Sequence, residues 1–406
     1  MSQLISNQTF NLERRHESNA TGIVVAAACL LTVGVVMVAS AGANLDEPVI
    51  TWQFWKSLFG RQAIFSGASL VAILIVAHGF HRLFAWRPGS WIQPALGFYL
   101  ATAGILAAVL VPGIGVMRKG ARRWMQVGPE SLGLSFQPSE LAKLAIVVFL
   151  AAFLSSSTDR IRSFWKGLVP SCAAIGIIVS LVGKEDFGTG ALLALVGGMM
   201  VVVAGAKWRH LMIFAIPAVS GLVYLVLSRP YRVERLMVFR NIWADPQGAG
   251  YHPVQSLVTI ASGGLFGRGL GSGVQKYGYL PESRSDFIFS VICEEAGMVG
   301  ALIVISLFLL LMWFGWRTVR LSHTTYGRLL AFGVTSMFVF QALINIAVVT
   351  VCAPTKGISL PLISAGGSGV LFLGVALGLL VSVARDCPDV SDDSQVSSEL
   401  AAQEAS

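Results

Sequence analysis

Ten apolar runs follow one another along the chain, and they constrain the fold more than any other feature. They lie at 21–42, 62–80, 92–115, 138–155, 167–183, 190–206, 210–228, 287–314, 329–351 and 367–384. About 20 apolar residues in a helix cross the hydrocarbon core of a bilayer. Only helices and closed barrels span a lipid bilayer, because every backbone polar group there must form its hydrogen bond within the protein. We therefore predict an all-α polytopic membrane protein with about ten transmembrane helices.

The composition excludes a soluble domain. Apolar residues make up 55% and charged residues 12% of the 406 residues, whereas soluble domains are about 25% charged. The first run is too long for a signal-peptide core and is followed by further spans, so we interpret it as a retained anchor. The five cysteines are scattered, four of them in or beside apolar runs, and the histidines lack metal-ligand spacing.

An even number of spans places both termini on one side, and we predict cytoplasmic termini from Lys and Arg in the short loops. Residues 1–20 then form a polar cytoplasmic tail, and 21–385 form the membrane domain. Residues 386–406 are acidic and polar, which predicts a disordered cytoplasmic tail. A large extracytoplasmic loop at 229–285 separates helices 7 and 8, and its cations place surplus positive charge on the outer side.

Asp286 lies where this large loop enters an apolar run. An ionisable residue at the edge of a membrane span is costly, and by default it marks a functional site. The alternative is that Asp286 caps the helix predicted at 287–314, since Asp is preferred at helix N-termini. The two roles are compatible.

Two further segments on the outer side carry charge at helix ends. Pro138 and Ser139 are typical of a helix start, and Glu140 and Lys143 are spaced to face each other on that helix. The pair either neutralises itself for membrane entry or forms the polar wall of a cavity. The short break at 183–190, with Lys184 and Asp186, is either a plain turn or part of a cavity lining.

Two loops combine cations with glycine. Arg232, Arg235 and Arg240 alternate with apolar residues, which predicts a short amphipathic helix at the membrane surface. Glycines and cations further along the loop suit either a phosphate or pyrophosphate or anionic lipid headgroups; the glycines are Gly263, Gly264, Gly267, Gly269, Gly271 and Gly273. The segment 353–368, between helices 9 and 10, predicts a re-entrant-type loop that lines a cavity, with Lys356 as a point charge for an anion.

These segments resemble the SEDS glycosyltransferases (shape, elongation, division and sporulation), polytopic enzymes that polymerise peptidoglycan from lipid II. The resemblance covers about 21–385 and rests on five motifs: GARRW with FQPSELAKLA, DFGT, RxxRxxxF to GxGxxxxQSL, YLPExxxDFIF with EEAG, and PTKGISLPLISxGGS. VQK before YLPE and PTKG before the last helix are more similar to the division branch of the family than to its elongation branch.

The resemblance implies that Asp286 is catalytic, as the general base that takes the proton of the acceptor sugar 4-hydroxyl while undecaprenyl pyrophosphate leaves. It also implies bacterial inner-membrane localisation at the septum, a class B penicillin-binding transpeptidase and other divisome proteins as partners, and no nucleic acid. A divalent cation, Mg or Mn, is a possible cofactor. The residues expected to bind substrate are Lys356, Arg284, Lys276, Glu140, Lys143, Asp186, Ser364, Ser368, Arg122 and Glu282.

The chain departs from the family pattern at several positions. Lys184 and Glu185 replace Gln-Pro, His252 replaces Gln, Ala365 replaces Tyr, and Ser283-Arg284-Ser285 replaces Ala-His-Thr. Two alternatives remain from other classes: a lipid II flippase, since broken helices and a re-entrant loop also suit a transporter, and a catalytically silent division scaffold.

Overall fold

A computed structural model of the chain describes residues 2–42, 58–90, 92–118, 121–126, 135–156, 163–228, 230–275 and 279–386. The helices within these ranges are α1 Ser2–Gly42, α2 Leu58–Val76, α3 Pro94–Val109, α4 Pro138–Ser155, α5 Val169–Glu185, α6 Phe187–Val203, α7 Trp208–Leu227, α8 Pro230–Arg240, α9 Tyr251–Gly263, α10 Ile288–Leu321, α11 Thr325–Val349 and α12 Gly367–Arg385. A π-helical turn, Phe164–Leu168, leads into α5.

The mostly helical, polytopic fold predicted from the sequence is confirmed. Within the described ranges, seven helices are long and apolar enough to cross a membrane: α1, α2, α4, α5 with its preceding turn, α10, α11 and α12. The apolar helices α3 and α6 are shorter, and α7 lies on the seventh predicted run. The total of ten spans stays a prediction. Residues 2–20, predicted as a tail, continue α1 as helix, while the acidic residues 387–406 lie outside the described residues.

The helix α4 lies at the centre of the bundle, with 78% of its residues buried. It packs against α3, α6 and α11. The helices α2 and α12 approach closely because α12 carries glycine where they meet: a Cβ at Gly374 would lie 2.2 Å from Ser69 Oγ. Small residues at such crossings let membrane helices pack by direct van der Waals contact.

A small antiparallel sheet is the one regular feature of the described residues that the all-α prediction omitted. Its strands are β1 Gly115–Arg118, β2 Ala121–Gln126 and β3 Ser135–Phe136, in the order β1-β2-β3. The sheet leads directly into α4 and lies beside the end of α5, where the Arg122 amide donates to Glu185 Oε2 at 3.0 Å. It therefore places the GARRW motif next to the break between α5 and α6.

The large loop contains the predicted amphipathic helix, α8, and a second helix, α9, that the sequence did not indicate. The glycine-rich segment after α9 packs against α10 at Gly297, where α10 breaks (φ 67°). A Cβ at Gly263 would lie 1.8 Å from the Cys293 carbonyl oxygen. The Arg268 and Gly269 amides donate to the Glu294 and Glu295 carbonyls at 3.0 Å. The glycines predicted to approach a ligand thus approach a helix.

At the opposite end of the bundle from Asp286, a polar cluster joins the turn after α2 to the end of α12. His81 Nδ1 lies 2.7 Å from Ser382 Oγ, and His81 Nε2 lies 2.9 Å from Asp386 Oδ2. Arg82 forms an ion pair with the same carboxylate. We call this group, His81, Arg82, Ser382 and Asp386, the terminal latch.

Candidate active site

Asp286 lies immediately before α10, whose N-cap position is Phe287. The capping role considered for Asp286 stays a prediction. The half-buried Asp286 side chain faces the loop between α11 and α12. A Cβ placed on Gly357 would lie 2.8 Å from Asp286 Oδ2. Glycine at 357 therefore leaves room for the carboxylate.

Five successive residues of that loop, Thr355 to Ser359, each contact a different neighbour. The Thr355 carbonyl accepts from Arg235 of α8 at 3.2 Å. Lys356 lies over the ring of Phe187 at the start of α6, and Gly357 faces Asp286. The carbonyls of Ile358 and Ser359 accept hydrogen bonds from side chains of α11. This irregular backbone is held by protein on several sides, as non-helical backbone at a membrane requires.

The two α11 side chains that hold this loop are Asn345 and Gln341, which sequence reasoning missed. Asn345 Nδ2 donates to the carbonyls of Ile358 at 2.7 Å and of Asp286 at 2.8 Å. Gln341 Nε2 donates to the Ser359 carbonyl at 2.9 Å. Both are about 1% exposed. Two polar residues four apart in an apolar run share one helix face, which is a signal that could have identified them.

Lys356 is the principal cation of the loop between α11 and α12. Its Nζ lies 3.8 Å from the centre of the Phe187 ring, a cation–π contact. Burial, the largest cause, together with the neighbouring Arg235 and Arg232 lowers the pKa of Lys356 to about 8, against the opposing effect of Asp186. Among the described residues, no carboxylate lies within ion-pair distance of its Nζ. The positive charge at this point is therefore available to an anionic ligand.

Asp186 lies at the break between α5 and α6 and begins α6. Its carboxylate accepts hydrogen bonds from the Thr189 amide at 3.2 Å and the Thr189 hydroxyl at 3.1 Å. Arg123 of β2 lies 3.4 Å from Asp186 Oδ2. A cleft between the ends of α3, α4 and α5 is lined by Arg122, Arg123, Ser139, Glu185 and Asp186. The break is thus both a helix cap and part of a polar cleft.

Glu140 and Lys143 form an ion pair at 2.8 Å on α4, with both side chains largely buried. Lys143 Nζ also donates to Gln341 Oε1 at 2.9 Å. Since Gln341 holds the Ser359 carbonyl, the pair is connected to the loop that carries Lys356. The ion pair agrees with the self-neutralising interpretation, and the cavity-wall interpretation stays a prediction.

Three further predicted residues make hydrogen bonds in the loops and helix starts of this end of the bundle. Ser364 Oγ donates to the Ser285 carbonyl at 2.6 Å and accepts from the Leu360 amide at 2.8 Å. Ser368 Oγ accepts from the Gln137 amide at 3.3 Å. Glu282, at φ 55°, accepts from Ser285 Oγ at 3.0 Å. In these contacts they support the segments around the site, and their direct contact with substrate stays a prediction.

The remaining predicted residues are placed differently. Arg284 Nε donates to the Ala41 carbonyl at the end of α1, at 3.0 Å, so it ties the Asp286 segment to α1. Lys276 lies outside the described residues. Among the departures from the family pattern, Glu185 accepts the Arg122 amide, His252 stacks on Phe287 with ring centres 6.0 Å apart, and the Ala365 amide donates to the Arg284 carbonyl at 2.9 Å.

The acidic pair Glu294 and Glu295 on α10 serves the glycine-rich segment. Glu294 Oε1 accepts from the Val274 amide at 2.9 Å, and Glu295 Oε2 accepts from Ser40 Oγ and from the Gly271 amide. Among the described residues, no group of three or more His, Cys, Asp or Glu side chains is arranged to hold a metal ion. The divalent cation suggested from the sequence stays a prediction, and Mg²⁺ would typically use one or two carboxylates together with substrate phosphates.

Comparisons with known proteins find similarity over nearly the whole chain. The family model described as FtsW/RodA/SpoVE cell cycle protein matches residues 21–387. Stage V sporulation protein E of Bacillus subtilis is 39% identical over 369 residues, which cover 89% of this chain and 96% of that protein. A probable peptidoglycan glycosyltransferase FtsW of Geobacter sp. is 35% identical over 371 residues, covering 91% of this chain and 98% of that protein.

Solved structures show the same fold. A chain from a peptidoglycan synthase complex, which coordinates polymerization and crosslinking, superposes with a TM-score of 0.71 at 29% identity, covering 90% of this chain and 97% of that chain. The rod shape determining protein RodA of Thermus thermophilus superposes with a TM-score of 0.62 at 28% identity, covering 90% and 96%. The chain belongs to the FtsW/RodA/SpoVE family.

Proposed function

We propose that this peptidoglycan glycosyltransferase polymerises lipid II into β-1,4 glycan strands, with Asp286 as general base. The observation that carries the proposal is the pairing of Asp286 with Gly357. The carboxylate faces Gly357, which has no side chain. The residue before Gly357 in the same loop is the cation Lys356. A base and a positive charge thus lie on adjoining segments at one end of the bundle.

The reaction needs both groups. The acceptor 4-hydroxyl is a poor nucleophile until its proton is removed, and a carboxylate within about 2.6–3.2 Å can remove it. Asp286 takes that proton as the acceptor oxygen bonds to the anomeric carbon of the donor sugar. The bond from that carbon to the lipid diphosphate breaks at the same time, and the configuration inverts from α to β.

The leaving diphosphate is already anionic, so it requires positive charge more than a proton. Lys356 supplies this charge, and Arg232 and Arg235 of α8 lie close enough to influence its pKa. The irregular loop that carries Lys356 and the break at Asp186 form the polar lining in which the sugars and diphosphate sit. The lipid tails remain in the bilayer.

We place the site on the extracytoplasmic side of the bacterial inner membrane, with cytoplasmic termini. The structural relative from a peptidoglycan synthase complex and the FtsW relatives support a partnership with a class B penicillin-binding transpeptidase and a role at the division septum. Depletion of the protein tests that role: filaments indicate division, and round cells indicate elongation.

The direct test is lipid II polymerisation in detergent micelles with Asp286→Asn. We expect the glycan product to fall by at least about 100-fold, the lower range for loss of a general base. Asp245→Asn is a matched control, because Asp245 is a carboxylate of the same loop that only caps a turn at Gly248 and Ala249. Full polymerase activity in Asp286→Asn, with contaminating polymerases excluded, would reject the assignment. Micelles have no second leaflet, so glycan product from the wild type also rejects a flippase without polymerase activity.

A further inference from the structure

Asn345 joins the two segments that the proposed reaction uses. Its single amide nitrogen donates one hydrogen bond to the Asp286 carbonyl at 2.8 Å and one to the Ile358 carbonyl at 2.7 Å. The nitrogen has two hydrogens, so both are used. The two carbonyl oxygens cannot lie farther apart than the sum of these two distances. One side chain therefore limits how far Asp286 can move from the loop of Lys356 and Gly357.

The position of Asn345 is unfavourable for a residue that only packs. It is 1% exposed, on the same helix as the buried apolar side chains of Phe338, Ala342, Val348 and Val349. Among the described residues its Oδ1 has no hydrogen-bond partner. A buried polar atom without a partner is destabilising, and an apolar side chain of similar volume would avoid that cost. The stability of α11 alone does not explain an amide here.

Gln341, one turn earlier on α11, provides an internal comparison. It holds the Ser359 carbonyl and accepts from Lys143, so it fixes the same loop to α4 and α11. Of the two amides, Asn345 is the one that donates to the Asp286 segment within the described part of the chain. The contacts of Gln341 set the position of the loop, and those of Asn345 set the position of the aspartate relative to the loop.

We propose that Asn345 is a positioning residue that holds the backbone of Asp286 at a fixed distance from the loop of Lys356 and Gly357. The inference rests on the proposed role of Asp286 as base. Asn345 touches neither reacting atom, and its effect passes through the geometry of Asp286. A displacement of about 1 Å at a reacting group can cost about 100-fold in rate, so a small relaxation of this contact is sufficient to slow the chemical step.

The test uses three variants of the full chain in the micelle assay, each checked for monodisperse elution and for Tm. Asn345→Asp preserves the shape but, when ionised, has no hydrogen to donate. Asn345→Leu has similar volume and suits the apolar neighbours, so it keeps the test informative if the Asp variant does not fold. Ser336→Ala is the control, because Ser336 is buried on the same helix and donates only to Gly333 of that helix.

We expect kcat to fall at least about tenfold in Asn345→Asp and Asn345→Leu, with KM for lipid II within about twofold of the wild type. Ser336→Ala should leave both constants unchanged. The inference is overturned if a folded Asn345 variant retains more than half of the wild-type kcat. It is also overturned if the loss of kcat is accompanied by a lower Tm and a raised KM. Asp286→Asn in the same assay separates the two proposals: if it is active, the base assignment fails, and if only the Asn345 variants are active, the positioning role fails.

Discussion

Two charged side chains at opposite ends of the bundle, Asp386 and Lys356, have different surroundings. In the terminal latch, Asp386 contacts both His81 and Arg82, so opposite charges meet directly. At the Asp286 end, Lys356 rests on an aromatic ring, and among the described residues it has no carboxylate within ion-pair distance. Direct pairing favours stability, whereas a cation held over a ring stays available to a ligand. We therefore expect the latch carboxylate to serve the stability of the fold, and we propose that Lys356 serves an anionic ligand.

The largest effect that tests this contrast is expected from Gly357→Ala. The added Cβ would lie 2.8 Å from Asp286 Oδ2 and has no other close contact apart from the Asp286 Cγ at 3.7 Å, so the flexible carboxylate moves and the fold remains. We expect a loss of about 100-fold in kcat, as for a reacting group displaced by about 1 Å. The measurement is the rate of glycan synthesis at saturating lipid II.

Gly366→Ala is the matched control for that variant. Gly366 lies in the same loop, and a Cβ there would meet its nearest atom, the Ser364 carbonyl oxygen, at 3.8 Å, an ordinary contact. Its activity should remain within about twofold of the wild type. Equal loss in the two variants would mean that the loop tolerates no side chain anywhere, and it would remove the specific link between Gly357 and Asp286.

A smaller effect is expected on kcat/KM when the pH is raised, and this effect reports on the charge of Lys356. The pKa of about 8 means that the folded free enzyme loses this charge as the pH rises through 8. If the charge binds the diphosphate, kcat/KM should fall about tenfold per pH unit above that value, since kcat/KM reports ionisation of the free enzyme. Lys356→Arg, which stays charged, should abolish this alkaline decrease even if its rate is lower.

Stability should show the opposite trend with pH at the same group. Between about pH 8 and 10.5 the unfolded chain holds the Lys356 proton and the folded chain does not. The free energy of unfolding contributed by this lysine therefore rises with pH in that window. If kcat/KM falls with rising pH while the free energy of unfolding contributed by Lys356 rises, the charge of Lys356 serves function and not stability. An unchanged alkaline decrease in Lys356→Arg would assign the decrease to another group.

At the other end, Asp386→Asn should affect stability without affecting catalysis. The change removes the negative charge that contacts Arg82 and His81. Such contacts typically contribute on the order of 1 kcal/mol to the free energy of unfolding. We expect Tm to fall by about 1–3 °C for a chain of this size, with kcat and KM unchanged. A loss of activity at full stability would contradict the division of roles between the two ends.

The smallest effect is expected from shortening the acidic tail. A chain that ends at Asp386 retains the terminal latch, and one that ends at Arg385 loses its carboxylate. Both should polymerise lipid II at the wild-type rate in micelles, and only the second should have a lower Tm. A large loss of rate in either would show that the tail takes part in the chemistry.

The sequence predicted those features that depend on local composition. The apolar runs indicated the helices, and the charges at the loop boundaries indicated Asp286, Lys356, Asp186 and the pair of Glu140 and Lys143. Asn345 and Gln341 were missed because their spacing indicates only a shared helix face, and the importance of each amide depends on which distant carbonyls lie opposite. The contact of Arg284 with α1 and the packing of the glycine-rich segment on α10 depend on long-range approach, which spacing along the chain does not reveal.

The break at Gly297 divides α10 into a short piece, 288–296, and a long piece, 298–321. Both pieces are fixed to the glycine-rich segment beside the break. The Arg268 and Gly269 amides donate to the Glu294 and Glu295 carbonyls of the short piece, and the Met298 and Val299 amides of the long piece donate to the Gly264 and Leu265 carbonyls. Membrane helices tilt as the thickness of the surrounding bilayer changes, and these bonds hold the helix on both sides of Gly297 against such a tilt. We therefore expect the position of Asp286 to be independent of the lipid composition of the membrane. Turnover measured in vesicles of increasing acyl-chain length would then stay nearly constant.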